Sequence, residues 1–258
     1  LIFAGAETFP TNSVFICEKF VTLFFRAAYY QLQFLFTFSR TPFYNRNKNK
    51  LRRTTMTLDN KLGISNSLQL ANEEEKITKR KALLLFETGF LNGLEAGTFS
   101  ALAVIHKFLF EDIYDFAGQI RTVNIAKGSF RFVPALYLSD ALESISKMPQ
   151  NTFDKIIAKY VEMNVAHPFR EGNGRSTRIW LDHILKTELQ LVIDWSKIDK
   201  EDYFLAMERS PIKDTEIKLL LKSALTDKIN DRDVYMKGID ASYNYEGYNT
   251  YKTENLNK

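Results

Sequence analysis

Residues 167–178 read HPFREGNGRSTR and directly follow an apolar-periodic stretch, TFDKIIAKYVEMNVA, at 152–166. Proline disfavours helical dihedrals in the residue before it, so Pro168 predicts that the preceding helix stops at His167. Helical spacing resumes after the glycines in TRIWLDHILKTEL, which is apolar nearly all round and therefore typical of an enclosed helix. The sequence thus predicts a loop, rich in glycine and charge, between two core helices.

Capping residues and apolar spacing indicate further helices on both sides of this loop. Upstream, NEEEKITKRKALLLFETG at 72–89 predicts one helix, and Thr98 is suited to cap a second that ends near Gly118. Downstream, helices are predicted over about 202–209, 214–226 and 231–246.

The segment QIRTVNIAKGSFRFV, at 119–133, has a different pattern. Its β-branched and aromatic residues flank Lys127 and Gly128, which predicts a short hairpin that Pro134 closes. The predicted fold class is therefore all-α, a helical bundle with one small β-hairpin, and residues 56–258 are predicted to form a single domain.

Net charge argues against one class of function. The chain carries +4, but residues 1–55 hold eight Lys/Arg against two Glu and contribute +6, which leaves −2 for residues 56–258. A nucleic-acid binder needs a basic face. Direct nucleic-acid binding is therefore not expected of the part that has the composition of a folded domain.

Cysteine and histidine are scarce. Cys17 is the single cysteine, so an internal disulfide and a cysteine-based zinc site are both excluded. The three histidines, His106, His167 and His183, lack metalloprotease spacing. The simplest setting for such a chain is the reducing cytoplasm.

The first 55 residues differ in composition from the rest, with ten of the 21 phenylalanines. Glu18, Lys19 and Arg26 interrupt the apolar stretch, so no charge-free run reaches the ~20 residues of a membrane span, and no membrane association is expected. Two interpretations stay open: an upstream region translated in frame before a true start at Met56, or an amphipathic or membrane-surface leader.

The glycine-rich loop has the composition of an anion site. Gly172, Asn173 and Gly174 allow close approach of a ligand, and the following helix offers free N–H groups at its start. Arg175 and Arg178 are three apart, so both fall on one side of the first turns and add two cationic donors.

Glu171 would repel a phosphate, so its position is best explained if a divalent cation bridges it to phosphate oxygens. His167 has a reference pKa near 6.5 and suits proton removal from a hydroxyl near neutral pH. Together these residues indicate nucleotidyl or phosphoryl transfer.

Each residue also has a structural explanation when taken alone. Arg178 is placed to pair with Asp182 at i+4, and Gly-Asn-Gly is a common turn. His106 and His183 lie within apolar stretches and are predicted to be core or helix-face residues. The motif is not a P-loop, because the lysine is missing and a helix rather than a strand precedes it.

The full stretch HPFREGNGRSTR resembles the Fic-family motif H-P-F-x-[D/E]-G-N-G-R-x-x-R. The segment IHKFLFEDIYDFAGQIRTVNI, at 105–125, is similar to the family's approach to its flap hairpin. The resemblance covers about residues 75–250 and implies a Fic-type helical bundle. It also implies transfer of AMP from ATP to a protein hydroxyl with release of pyrophosphate.

The resemblance assigns roles residue by residue. His167 would deprotonate the target hydroxyl, and Glu171 would hold Mg²⁺ between the α- and β-phosphates. The remaining motif residues would bind ATP: Gly172, Asn173 and Gly174 as the anion hole, Arg175 on phosphate and Arg178 on the γ-phosphate. Phe169 would anchor the loop in the core, and the hairpin around Lys127 and Gly128 would be the flap that aligns the target segment.

SYNYEG at 242–247 resembles S-x-x-x-E-[G/N], the inhibitory helix of Fic proteins that carry it at the C-terminus. Ser242 and Glu246 are four apart and would share a helix face within about 231–248. Glu246 would pair with Arg178 and displace the γ-phosphate. Tyr243 is the first candidate for a self-modification that releases this brake.

Three alternatives stay open: Fic-type transfer of another nucleotide or of a phosphate group, a non-catalytic binding module, and, as the weakest, a nucleic-acid binder. A type II topoisomerase subunit is the target that analogy with other Fic enzymes suggests. Association of copies of the chain is a further expectation, because it would bury the inhibitory helix.

Overall fold

The computed structural model describes residues 57–128 and 130–256, so the predictions for residues 1–55 lie outside the described residues. The described part contains two antiparallel strand pairs, β1 (Ala126–Lys127) with β2 (Phe130–Arg131) and β3 (Val192–Ile193) with β4 (Leu225–Thr226). Its α-helices are α1 (Ser67–Glu87), α2 (Phe99–Phe110), α3 (Leu138–Ser146), α4 (Phe153–Ala166), α5 (Asn173–Leu189), α6 (Lys200–Arg209), α7 (Thr215–Ser223) and α8 (Arg232–Tyr245). The all-α class with a small hairpin is confirmed.

Helix α5 lies at the centre of the bundle and contacts α2, α4 and α8. Its apolar residues are buried on several sides, as the near-continuous apolar pattern predicts: Ile179, Trp180, Leu181, Ile184 and Leu185. Each such side chain contributes about 1.5–3 kcal/mol when removed from water. The indole N–H of Trp180 donates to the carbonyl oxygen of Thr98 at 3.0 Å, which ties α5 to the start of α2.

Two predicted helix boundaries are corrected. The first helix begins at Ser67, because the Asn66 side chain accepts hydrogen bonds from the amides of Leu68 and Gln69 and caps it. Thr98 does cap α2, as predicted. That helix, however, ends at Phe110 rather than near Gly118.

The early end of α2 has a local cause. The amide of Gly118, at a φ of 75°, donates to His106 Nδ1 at 2.9 Å and folds the intervening turns back along the helix. His106 and His183 are both buried, so their predicted core positions are confirmed.

Two elements, helix α3 and the strand pair of β3 and β4, were not predicted. The nine-residue helix α3 buries Leu138, Leu142 and Ile145, whose i, i+4, i+7 spacing was the available signal. The helix predicted over 214–226 ends at Ser223, because residues 225–226 pair as a strand with residues 192–193. Within the described ranges, no helix combines the length and apolar character that crossing a bilayer requires.

Candidate active site

The loop between α4 and α5 begins at His167, which closes α4 in the left-handed region with φ 50° and ψ 64°. The Asn173 side chain fixes the loop through two bonds to Phe169: its Oδ1 accepts from the Phe169 amide, and its Nδ2 donates to the Phe169 carbonyl, both at 2.8 Å. The Phe169 ring is fully buried and stacks on His106 at 3.8 Å between ring centroids. The predicted anchoring role of Phe169 agrees with this geometry.

Gly172 is required on two grounds. Its φ is 75°, and a Cβ there would lie 2.3 Å from Cζ of the buried Phe110 ring. Because that ring is enclosed in the core, it has no room to yield. Close packing of the loop backbone against α2 therefore fixes the direction in which α5 begins.

A cavity of about 510 Å³ opens at this turn. Every motif residue to which the sequence assigned chemistry lines it: His167, Glu171, Gly172, Asn173, Gly174, Arg175 and Arg178. The hairpin residues Lys127 and Gly128 line its mouth, and Glu246 lies in its wall. Ser242 and Tyr243 are both buried and lie outside this cavity's lining, and Ser242 is hydrogen-bonded to Arg178.

The His167 ring is oriented by two contacts. Its Nδ1 lies 3.2 Å from the carbonyl oxygen of Asn164, and Phe132 of the hairpin stacks on it at 3.7 Å. A carbonyl only accepts hydrogen bonds, so Nδ1 carries the proton and Nε2 remains the basic nitrogen. Burial lowers the pKa of His167 to about 4, so the imidazole is neutral near pH 7 and able to accept a proton.

Arg121 holds the base of the hairpin to the motif loop, a role that the sequence analysis did not assign. Its Nε donates to the His167 carbonyl at 2.8 Å, and its Nη2 donates to the carbonyls of Val133 at 2.5 Å and Ala166 at 3.1 Å. The guanidinium is buried. It therefore couples the position of the hairpin to that of His167.

Glu171 presents the carboxylate of the cavity. Its Oε1 accepts from the Gly172 amide and from Arg175 Nη2, both at 3.0 Å, while 39% of the side chain is exposed. Burial raises the pKa of Glu171, and Arg175 opposes that shift.

The donor set around Glu171 fits Mg²⁺. Among the residues that the structure describes, no three His, Cys, Asp or Glu side chains cluster as a complete metal cage. Mg²⁺ is commonly bound by one or two carboxylates, with water and substrate phosphates completing its octahedron. Glu171 at the cavity wall is such a carboxylate.

Arg178 is occupied by helix α8. Its Nε donates to Ser242 Oγ at 2.6 Å, and its Nη2 donates to the Ser242 carbonyl at 2.8 Å and to Glu246 Oε1 at 2.9 Å. The alternative pairing with Asp182 does not form, because that carboxylate accepts from the Ile193 amide and the Trp195 indole.

The Glu246 carboxylate lies over the start of α5. A Cβ built on Gly174 would be 2.2 Å from Glu246 Oε1, so the carboxylate is in direct contact with the backbone of the first helical turn. Burial alone would raise the pKa of Glu246, but Arg178 lowers it. An anion thus already lies where the α5 N-terminus attracts anions.

A buried charge cluster fastens α8 and the tail after it to α1. Lys79 Nζ lies 3.1 Å from Glu75, 2.9 Å from Asp240 of α8, and 2.5 Å from the Tyr251 carbonyl. Glu75 in turn accepts from the amides of Thr250 and Tyr251 at 3.0 and 3.1 Å. These bonds hold α8, whose C-cap residue Glu246 lines the cavity, against α1.

Comparison with known proteins gives a consistent result. The sequence model of the Fic/DOC family matches residues 98–185. The probable protein adenylyltransferase Fic of Salmonella typhimurium is 28% identical over 180 residues, covering 65% of this chain and 87% of that protein. The protein adenylyltransferase VbhT of Bartonella schoenbuchensis is 27% identical over 222 residues, 76% of this chain and 45% of VbhT.

A solved structure agrees at the level of the fold. The BepC protein of Bartonella tribocorum, crystallised with bound AMPPNP, superposes with a TM-score of 0.55 at 19% identity. The match covers 70% of this chain and 97% of BepC.

Proposed function

We propose that this protein is a protein adenylyltransferase, because the Fic/DOC family model matches residues 98–185. It would move AMP from ATP to a Tyr, Thr or Ser hydroxyl of a target protein and release pyrophosphate. The observation that carries the proposal is one cavity lined both by a neutral, oriented His167 and by the anion-attracting start of α5 with Arg178. Relatives named as adenylyltransferases support it.

The chemistry follows from the positions of the side chains. The triphosphate would lie along the first turn of α5, where Arg178 would bind the γ-phosphate. Arg175, the other proposed phosphate ligand, is enclosed and paired with Glu74 and Glu171, so it would have to turn toward the nucleotide to bind phosphate. His167 Nε2 takes the proton of the target hydroxyl as the hydroxyl oxygen attacks the α-phosphorus. The bond between the α-phosphorus and the oxygen that bridges to the β-phosphorus breaks, and pyrophosphate leaves. Glu171 would hold Mg²⁺, which would neutralise charge on the phosphates of the bound nucleotide.

The hairpin is proposed to align the target. Both residues of β1, Ala126 and Lys127, are exposed, and β2 is the strand that pairs with it among the described residues. An extended target segment could add to such an edge through backbone hydrogen bonds. Phe132, which follows β2 in the same hairpin, stacks on His167, so the hairpin is in contact with the proposed general base.

Glu246 is proposed as the brake on transfer. Its bond to Arg178 occupies the guanidinium meant for the γ-phosphate, and its charge lies against the first turn of α5. Nucleotide then binds in a pose in which the α-phosphorus does not face the attacking oxygen. The tail cluster around Lys79 supports this proposal, because it keeps α8 in the inhibiting position.

The position of the label in ATP tests the proposal against its alternatives. Label on the α-phosphate should appear on protein, and label on the γ-phosphate should not; the reverse result would indicate transfer of a phosphate group. Competition by unlabelled UTP, CTP or GTP would reveal a different nucleotide. No transfer from any variant would indicate a non-catalytic module.

Acid dependence of transfer should follow His167. The folded-state pKa is about 4, below the usual 6.5, so the basic form persists as pH falls through 6.5 and is lost only as pH approaches 4. In the brake-released enzyme, kcat/KM plotted against pH should therefore stay level from pH 8 to below pH 6. An acid limb with its midpoint near 6.5, measured while circular dichroism shows an intact fold, would contradict the assignment.

Tyr243 is proposed as a self-modification site, with one condition added by its surroundings. Its ring is fully buried and lies against Lys79 and Arg175, at 5.3 and 5.4 Å from their charged groups. Modification therefore requires α8 to leave the bundle first. Mass spectrometry of the brake-released enzyme after incubation with ATP should find AMP on Tyr243; an unmodified tail at full target labelling would remove the proposal.

The target and the assembly state are proposals by analogy. A type II topoisomerase subunit is the proposed target, to be sought among labelled proteins of a lysate. A homo-oligomer is proposed because contact between copies would cover α8. Sedimentation at several concentrations would detect it.

A further inference from the structure

We propose that Glu74 is a positioning residue, which holds Arg175 in place so that Glu171 stays available to a metal–nucleotide complex. The proposal rests on the adenylyltransferase function proposed above. Glu74 lies on α1, outside the segment that matches the family model. It has 2% of its surface exposed, and an acidic side chain is rarely buried so deeply without a charged partner.

That partner is Arg175. Glu74 Oε1 lies 2.7 Å from Arg175 Nη1, and the Arg175 side chain is completely enclosed. The contact with Arg175 Nη1 is an ion pair, and two tyrosines supply the carboxylate's hydrogen bonds: the Tyr248 hydroxyl donates to Oε1 at 2.9 Å, and the Tyr114 hydroxyl donates to Oε2. A buried charge pair with this many satisfied oxygens is fixed in position.

Aromatic rings fix the guanidinium from its other sides. Arg175 Cζ lies 4.9 Å from the centroid of Phe110, 4.6 Å from that of Tyr248 and 5.4 Å from that of Tyr243. Cation–π attraction and shape restrict the guanidinium to one plane. Its position relative to the cavity is therefore set by Glu74 and these rings.

Arg175 has a second carboxylate neighbour, and the two differ in exposure. Glu171 Oε1 lies 3.0 Å from Arg175 Nη2, and Glu171 is 39% exposed at the cavity wall, whereas Glu74 is enclosed. Both carboxylates compensate one guanidinium. Because the enclosed Glu74 compensates the charge of Arg175, Glu171 is available to bind a metal ion instead.

Loss of the Glu74 charge would change this balance. With glutamine at position 74, Arg175 would depend on Glu171 alone among the carboxylates that the described structure places in ion-pair contact with it. An Arg175 guanidinium that pairs with Glu171 alone competes with a divalent cation for the same carboxylate oxygen. The expected effect is selective: binding of nucleotide with Mg²⁺ weakens more than binding of nucleotide alone.

The experiment measures binding rather than turnover. Calorimetry gives the affinity of a non-hydrolysable ATP analogue with Mg²⁺ and with EDTA, for Glu246→Gly and for Glu246→Gly/Glu74→Gln. The affinity measured with Mg²⁺, divided by the affinity measured with EDTA, should fall by about 10-fold in the double variant. That is the lower end of the loss in metal affinity when a hydrogen-bond partner of a metal ligand is removed.

Glu75 provides a matched control. It is the adjacent glutamate on the same helix and equally buried, but it pairs with Lys79 and the tail amides instead of Arg175. Glu246→Gly/Glu75→Gln should keep the ratio of the parent. A fall of the same size in both double variants would show a general structural effect and overturn the proposal.

Tyr114→Phe keeps the experiment decisive if Glu74→Gln fails to fold. It removes one hydrogen bond to Glu74 and retains the charge, so a smaller fall in the same ratio is expected. An unchanged ratio in a folded Glu74→Gln or, failing that, in Tyr114→Phe would overturn the inference and leave the proposed function standing. No nucleotide binding by the Glu246→Gly parent would overturn both.

Discussion

Glu246→Gly should raise AMP transfer by about 10- to 100-fold. The substitution removes the charge-assisted bond from Arg178 Nη2, 2.9 Å long, and bonds of this kind are worth about 1.5–3 kcal/mol. It also removes a negative charge from the first turn of α5, where the triphosphate is proposed to lie. Both effects favour the productive pose of the nucleotide, so kcat should rise more than nucleotide affinity.

The measurement uses ATP labelled on the α-phosphate, Mg²⁺ and a cell lysate, with labelled bands identified by mass spectrometry. Glu254→Gly is a suitable control, because Glu254 is an exposed glutamate in the tail that follows α8. It should leave transfer at the wild-type level. A Glu246→Gly protein as silent as this control, with an intact melting temperature, would count against the brake.

The melting temperature itself should change little in Glu246→Gly. Position 246 follows the last residue of α8 and caps the helix, so a glycine there is not placed inside a helix. Arg178 keeps two hydrogen bonds to Ser242, so its guanidinium is not left without acceptors. A gain in transfer without unfolding would separate release of the brake from general loosening of α8.

The loop of the site was predictable from sequence because its structure is local. Pro168 ends α4, and Asn173 bonds back to Phe169, four residues away. These contacts follow from short-range geometry that spacing encodes. Helix α8 was predictable for a similar reason, since Ser242 and Glu246 are one turn apart and reach the same arginine.

The partners that support the loop were not predictable in this way. Glu74 meets Arg175 from another helix, and Arg121 reaches four separate carbonyls across the hairpin base and the motif. In sequence, NEEEK is typical of a solvated acidic face, yet two of its three glutamates are buried. Whether an acidic run faces water or an enclosed cation depends on distant residues, which local periodicity does not record.

The same limit applies to the short elements. Residues 225–226 continue a helical pattern in sequence, but they lie against residues 192–193 and form a strand instead. Tertiary pairing therefore overrides local preference at the end of α7. The hairpin at 126–131 was predictable because its turn signal and its partner strand are adjacent.

His167→Ala in the Glu246→Gly background should reduce transfer by about 10²- to 10⁴-fold, the usual contribution of a general base. The other motif residues are proposed to bind the nucleotide and not the target hydroxyl, so binding of a non-hydrolysable ATP analogue should persist. This combination, lost transfer with retained binding, is the expected signature of a residue that acts on the attacking group.

An alanine at position 167 would be strained by the left-handed backbone there, so a second substitution, to asparagine, is needed. His167 has a φ of 50°, a conformation that costs most side chains about 1–2 kcal/mol and that asparagine tolerates better. His167→Asn therefore keeps the loop geometry but has no basic nitrogen. Both variants should be inactive, and His167→Asn should melt at the higher temperature. If His167→Asn retained transfer within about 10-fold of the parent, the proton would have to leave the hydroxyl by another route, because a general base contributes more than that.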